Sequence, residues 1–270
     1  MRRSVLTLTM AATTGLLLGG CSSSSTTGGS ASTSPKSPAS GSSPSSLSGT
    51  VTVFAAASLK EAFAKVGEQF EAAHPSVKVV FNFGPSSGLA TQITQGAPAD
   101  VFASASTKNM GQVVSAGKAA SPKKFVSNVM EIAVPPKNPA HVTQLSDLAK
   151  PGVKVALCQS AVPCGATAAK VFVNAKLTLT PVTQEVDVKA VLTKVTLGEV
   201  DAGVVYVTDV RAAGEKVKGI KIPTALNAST KYPIATLTTA PNKAGGQAFT
   251  DYVLSADGAA ILTAAGFAKP

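Results

Sequence analysis

Apolar residues along the chain follow two kinds of spacing, and their alternation predicts strands and helices in turn. Short apolar runs of strand length occur at 50–55 and 203–207. Between them, apolar residues recur three or four positions apart, as on the buried face of a helix. This pattern predicts an α/β fold with mostly parallel sheets and helices on both faces. The first such helical face contains Leu59, Phe63, Val66 and Phe70.

The same spacing predicts further elements along the rest of the chain. Gly96 and Gly198 end two of the helical patterns, and the pair His74-Pro75 ends the first helix. In α/β sheets, ligands bind where strands end and helices begin. Strands are expected at 76–83, 101–105, 130–134 and 153–157, and helices over 89–96, 164–176, 188–198 and 249–262.

Residues 1–21 have the layout of a secretory signal. Arg2 and Arg3 precede an apolar stretch, 5–18, that is too short to span a bilayer. The stretch ends in small residues and Cys21, an order that resembles the lipobox of bacterial lipoproteins. We therefore expect Cys21 to be lipidated, although an ordinary signal peptide with an incidental cysteine is the alternative.

Residues 22–48 are mostly serine, threonine, glycine and proline. Such a segment has little apolar area to bury, so it predicts a disordered, flexible tether. The folded part should then begin near Gly49. Together with Cys21, the tether predicts an exported protein held by lipid on the outer face of the cell membrane or in the periplasm.

Composition narrows the class of protein. Hydrophobic residues make up 44% of the chain and charged residues 14%, which fits a well-packed α/β protein. The net charge of +10 would also suit a nucleic-acid binder. However, the lysines are scattered and Arg211 is the only arginine after Arg3. We therefore expect no nucleic-acid partner.

Two cysteines remain after Cys21, namely Cys158 and Cys164. In an exported protein such a pair tends to be oxidised, so a local disulfide is expected. The two histidines, His74 and His141, are far from both cysteines in sequence, so a Cys/His metal site is not expected.

Four predicted helix starts share one chemical character. Ser58, Ser86, Cys164 and Val188 each lie at or beside such a start. A helix N-terminus presents unpaired N–H groups and a partial positive charge, and serine adds a neutral donor, so these starts favour an anion. The alternative is that Ser58 and Ser86 only cap their helices.

Several phrases in the chain resemble the molybdate-binding proteins of ABC transporters, within the type II periplasmic binding-protein family. The resemblance runs from about Gly49 to Phe267. It is carried by Val53-Phe54-Ala55-Ala56-Ala57-Ser58-Leu59, Ser86-Ser87-Gly88-Leu89-Ala90, Gly96-Ala97-Pro98-Ala99-Asp100 and Asp201-Ala202-Gly203-Val204-Val205-Tyr206. The first and third of these phrases together are highly specific. Tyr232-Pro233 and Ala265-Gly266-Phe267 are less specific.

The resemblance implies that a molybdate or tungstate ion is held by hydroxyl and N–H donors. Carried over by matching phrases, the donors are the side chains of Ser58, Ser86 and Tyr206 and the N–H groups of Cys164 and Val188. No cofactor and no directly bound metal are implied, and the protein would not be an enzyme. Its partners would be the permease and ATPase of an ABC importer, and it would act as a monomer.

The resemblance also implies two lobes, each with a mostly parallel sheet, joined by two hinge crossovers near Met130 and Tyr232. Lobe one would comprise residues 49–129 and 233–270, and lobe two residues 130–232. Two departures from the family pattern concern the site. Cys164 replaces an alanine, and Pro85 removes one N–H donor beside Ser86.

Three alternatives remain open. The cargo could be another tetrahedral oxyanion such as sulfate. The run Gly84–Gly88 also matches G-x-S-x-G, so a serine hydrolase would use Ser86 with His141, the only later histidine. A leader and a tether would also suit an adhesion or structural lipoprotein, which would leave the serine phrases without a role.

Overall fold

The structure of the protein, a computed structural model, describes residues 47–270. The predicted signal, Cys21 and nearly all of the predicted tether lie outside the described residues. The strands are β1 (Gly49–Ala56), β2 (Val77–Gly84), β3 (Val101–Ala103), β4 (Lys123–Val134), β5 (Val155–Cys158), β6 (Thr183–Glu185), β7 (Ala202–Tyr206), β8 (Lys218–Lys221) and β9 (Ser229–Thr236). The α-helices are α1 (Lys60–Ala73), α2 (Ser86–Thr94), α3 (Thr107–Ser115), α4 (Pro163–Asn174), α5 (Val188–Thr196), α6 (Val207–Ala213), α7 (Lys243–Leu254) and α8 (Ala256–Ala264), with 3₁₀ turns at Ala57–Leu59, Leu145–Ala149 and Gly214–Lys216.

The strands form one connected sheet in the order β2-β1-β3-β9-β4-β7-β5-β6, with β8 paired to β4. Strand β1 is parallel to β2 and β3, and β5 is parallel to β6 and β7. All pairings of β4 and β9 are antiparallel. The sheet is therefore mixed, whereas the sequence predicted mostly parallel pairing. The reason is that β4 and β9 run side by side through its middle.

Strand β4 changes its partners half-way along. Residues Lys123–Val129 pair with β9, whereas Met130–Val134 pair with β7 and β8. The sequence signalled only the second half, 130–134, because the first half carries exposed lysines and lacks a continuous apolar run.

The buried apolar residues divide along the same line. One cluster contains only residues between Met130 and Ile222. The other two contain residues from 51–126 and 232–267. Phe63, Phe70 and Phe249 contribute to the larger of these two, with ring centroids 5.4–6.0 Å apart where they meet.

Helix ends follow local capping chemistry, and this accounts for several differences from the sequence prediction. Ser255 accepts a hydrogen bond from the N–H of Gly258, so the predicted final helix is two helices, α7 and α8. Ser106 caps the unpredicted helix α3 in the same way. Helix α6 and strand β8 are short and were also not predicted.

Candidate functional site

A small cavity lies where several strands end and several helices begin. Its volume is about 20 Å³, little more than the roughly 10–15 Å³ that one water molecule needs. A space of this size suits a small ion better than a sugar or an amino acid. The cavity is lined by Ala56, Ala57, Ser58, Gly84, Pro85, Ser86, Ala105, Val162, Pro163, Cys164, Asp187, Val188 and Tyr206.

All five residues predicted to hold the ligand line this one cavity, although they come from distant parts of the chain. Each is buried, with at most 4% of its surface exposed. The five are Ser58, Ser86, Cys164, Val188 and Tyr206.

Ser58 does not cap a helix. It lies inside the 3₁₀ turn Ala57–Leu59, whose N-cap is Ala56, so the sequence expectation of a serine N-cap here is wrong. The chain tightens into a 3₁₀ turn before α1 begins, and this turns the hydroxyl towards the interior. Ser58 Oγ lies 2.8 Å from Tyr232 Oη.

Ser86 is likewise free of a capping role. It is the first residue of α2, whose N-cap is Pro85 with φ of −64°. Its Oγ accepts a hydrogen bond of 2.9 Å from the N–H of Ala105. The structure therefore does not support the alternative that the two serines only cap their helices. Because Ser86 Oγ accepts this hydrogen bond, its own hydrogen remains available to a ligand.

Cys164 and Val188 offer N–H groups at the first turns of α4 and α5. Neither N–H has a hydrogen-bond partner within residues 47–270. This is expected, because the first N–H groups of a helix lie beyond the reach of its own carbonyls. The carboxylate of Asp187 accepts from the N–H groups of Lys189 and Ala190 instead, which leaves the N–H of Val188 for the cavity.

Two local contacts fix the position of the first turn of α4. Cys158 and Cys164 form a disulfide with a Cα–Cα distance of 5.8 Å. Gly165 packs directly on the carbonyl oxygen of Gln159, where a Cβ would overlap with it. The replacement of alanine by Cys164 therefore leaves the backbone N–H in place.

Tyr206 ends β7, and its hydroxyl has no hydrogen-bond partner among the described residues. The residue is only 1% exposed. Burial raises the pKa of this hydroxyl, so it keeps its proton and can donate. A buried hydroxyl without a partner is costly unless a ligand or a water supplies the acceptor.

Charged side chains surround the cavity without supplying a cation to it. Lys189 Nζ lies 2.7 Å from Glu61 Oε2 and 2.9 Å from Asp209 Oδ1. Oδ1 of Asp209 lacks hydrogen-bond geometry, so that contact is an ion pair only. Burial lowers the pKa of Lys189, but Asp209 and Glu61 raise it more, and the lysine stays charged.

These three residues connect the segments that contain Ser58, Val188 and Tyr206. Glu61 follows Ser58 by one turn, Lys189 follows Val188, and Asp209 accepts from the N–H of Tyr206 at 3.1 Å. Neither they nor Tyr232 were selected as site residues from the sequence. Only the phrase Tyr232-Pro233 carried a signal, and it was weak.

Within the described part of the chain, no three His, Cys, Asp or Glu side chains are grouped as a metal site would require. No helix among residues 47–270 combines the length and apolar character needed to cross a membrane.

Residues 51–268 match the family model described as bacterial extracellular solute-binding protein. The chain belongs to this family. This solute-binding protein is 44% identical over 222 residues to the molybdate-binding protein ModA of Mycobacterium tuberculosis, which covers 82% of this chain and 85% of that protein. The family predicted from the sequence phrases is thereby confirmed.

Solved structures support the fold. The periplasmic molybdate-binding protein of Azotobacter vinelandii superposes with a TM-score of 0.73 at 20% identity, over 82% of this chain and 99% of that one. The sulfate-binding protein SubI of Mycobacterium tuberculosis gives 0.71 at 18% identity, over 81% and 86%. These likenesses concern the fold alone, and they confirm the predicted α/β periplasmic binding-protein class.

The serine hydrolase alternative is not supported. This family consists of binding proteins rather than enzymes. Ser86 Oγ is bonded to a backbone N–H, and His141 does not line the cavity. His141 is exposed in a loop, with φ of 50°. A nucleophile needs a base within hydrogen-bond reach, which this serine lacks among the described residues.

Proposed function

We propose that this solute-binding protein captures molybdate and delivers it to an ABC importer. The observation that carries the proposal is the buried hydroxyl of Tyr206, which finds no hydrogen-bond partner within residues 47–270 and faces a cavity lined by further neutral donors. An oxyanion supplies several acceptor oxygens at once, and each charge-assisted bond contributes about 1.5–3 kcal/mol. The 44% identity to a molybdate-binding protein favours molybdate over sulfate.

In this proposal the ligands are the hydroxyls of Ser58, Ser86 and Tyr206 and the N–H groups of Cys164 and Val188. Tungstate has the same charge and a similar size, so it would occupy the same donors. Pro85 contributes no N–H, and the neighbouring N–H groups of α2 are left to complete the second binding loop.

The protein would consist of two lobes, residues 49–129 with 233–270 and residues 130–232. The division of the apolar clusters and the change of partners within β4 support this boundary. Ser58 and Ser86 would belong to lobe one, and the other three ligands to lobe two. A ligand that binds both lobes would favour the closed form, because it has more contacts there.

Delivery would follow the family's ABC-transporter role. The closed protein would dock as a monomer on a membrane permease that is driven by an ATPase. Cys21 would carry the lipid that holds the protein at the outer face of the cell membrane, with residues 22–48 as the tether. The support for this anchor is the order of charge, apolar run, small residues and cysteine in the sequence.

An anion titration tests the proposal. Protein lacking residues 1–21 is melted with increasing molybdate, tungstate, sulfate or phosphate. At a hundredfold excess over the dissociation constant, molybdate should stabilise the protein by about 2.7 kcal/mol. A larger shift with sulfate than with molybdate would reassign the cargo. No shift with any of the four anions would refute an oxyanion site.

A further inference from the structure

The hydroxyl of Ser58 is hydrogen-bonded to a residue that does not line the cavity. Tyr232 on β9 is fully buried, and its Oη lies 2.8 Å from Ser58 Oγ. The residue is absent from the cavity lining. Its hydroxyl can therefore act on a ligand only through residues that line the cavity, and Ser58 is the one to which it is hydrogen-bonded.

Counting protons gives this hydrogen bond a direction. A serine hydroxyl carries a single hydrogen, whereas a fully deprotonated oxyanion offers only acceptors. When such an anion is bound, Ser58 must donate its hydrogen to the anion. The 2.8 Å contact can then exist only if Tyr232 donates to Ser58.

We propose that Tyr232 is a positioning residue whose hydroxyl donates to Ser58 Oγ and so directs the hydrogen of Ser58 at the bound oxyanion. This inference rests on the proposed function. A serine hydroxyl otherwise rotates to suit whichever acceptor is near. With its orientation set beforehand, less freedom is lost when the anion binds.

The surroundings of Tyr232 keep its ring in place. Its ring meets those of Phe125, Tyr206 and Phe267 edge to face, with centroids 6.3, 6.3 and 5.4 Å away. Aromatic pairs favour this geometry. Tyr232 therefore contacts one proposed ligand through its ring, Tyr206, and another through its hydroxyl, Ser58.

Ser86 is arranged in the same way by a different donor. The N–H of Ala105 donates to Ser86 Oγ at 2.9 Å, so this serine too has its hydrogen left for the cavity. Two serines on different elements thus both accept a hydrogen bond from the protein behind them. Of these two donors, only Tyr232 can be removed by a side-chain substitution.

A double-mutant cycle tests the role of Tyr232. Molybdate binding is measured by calorimetry for the wild type, Tyr232→Phe, Ser58→Ala and the double variant. Tyr232→Phe should weaken binding by about three- to tenfold in the wild-type background, the range for one hydrogen bond. In the Ser58→Ala background the same change should leave affinity unaltered to within about twofold, because the residue that it positions is gone.

Tyr252→Phe is the matched control, because it removes the same atom from a partly buried tyrosine that is bonded to Gln69 and does not line the cavity. It should leave binding unchanged. Melting of the ligand-free variants is followed in parallel, and affinities are compared at a temperature where all of them are folded. Equal losses in both Ser58 backgrounds, or no loss in the wild-type background, would overturn the positioning role. A wild type that binds no molybdate would instead overturn the proposed function.

Discussion

The hydrogen-bond donors that line the cavity are neutral hydroxyl and N–H groups, although the protein as a whole carries a charge of +10. No lysine, arginine or histidine is among the lining residues. A buried cation would need its own desolvation to be offset, whereas a neutral donor loses less on leaving water. Several neutral donors can therefore hold a dianion in a closed site while each remains stable without it.

Ser58 provides the most direct test at the level of single residues. Ser58→Ala removes one donor to the anion and should weaken molybdate binding by about 1.5–3 kcal/mol, the range for a hydrogen bond to a charged group. The fold should persist, because Ser58 caps no helix. Calorimetric titration measures the change. Ser115→Ala on the exposed end of α3 is the control, and affinity equal to that of the control would remove Ser58 from the site.

Secondary-structure elements with a strong apolar period could be predicted from the sequence. The helical face of α1 and the buried strand β7 both lie close to their expected positions. The elements that were not predicted, such as β9 and α6, lack a clear apolar pattern of their own and depend on contacts with neighbouring elements. Ser229–Thr236 becomes a strand because it pairs with both β3 and β4.

The start of α4 offers a prediction at the level of an element. Gly165 lies against the carbonyl of Gln159, so Gly165→Ala must push the helix away from the turn that precedes it. We expect a loss of about 1–3 kcal/mol in the free energy of unfolding, as for other overpacked sites. Because the N–H of Cys164 moves with the helix, molybdate binding should weaken as well. Urea unfolding with and without molybdate measures both effects.

Gly111→Ala in α3 is the matched substitution. A Cβ at Gly111 would meet no atom within 4 Å. Alanine is the better helix former by about 0.5–1 kcal/mol, so this variant should be slightly more stable and should bind molybdate normally. If both variants lost stability alike, crowding at Gln159 would not be the cause.

At the scale of the whole molecule, local sequence patterns do not show that the site residues meet at one cavity. The phrases around Ser58 and Tyr206 could be recognised one by one, yet their distance in space depends on how β4 and β9 cross the sheet. Tyr232 and the ion pairs of Lys189 were missed for the same reason. The partner of Tyr232 lies 174 residues away in sequence, and Glu61, one of the two partners of Lys189, lies 128 residues away.

The ion pair between Glu61 and Lys189 joins α1 to α5, and in the proposed two-lobed protein it spans the cleft. Opening the cleft would separate its 2.7 Å contact, so the pair favours the closed form. Glu61 is half exposed, and exposed pairs contribute only about 0.2–1 kcal/mol. Glu61→Gln should therefore raise the dissociation constant for molybdate by about 1.5- to fivefold. The stability of the ligand-free, open protein should change little.

Glu68→Gln is the control, because Glu68 is exposed on the same helix and forms no ion pair among the described residues. Both variants lose one negative charge, so any general change in the attraction of anions is the same for both. Affinities are measured at two salt concentrations, since screening weakens an exposed pair. Binding by the wild type should lose more affinity in salt than binding by Glu61→Gln, whereas Glu68→Gln should follow the wild type. Identical behaviour of the two variants would show that the Glu61–Lys189 contact does not contribute to closure.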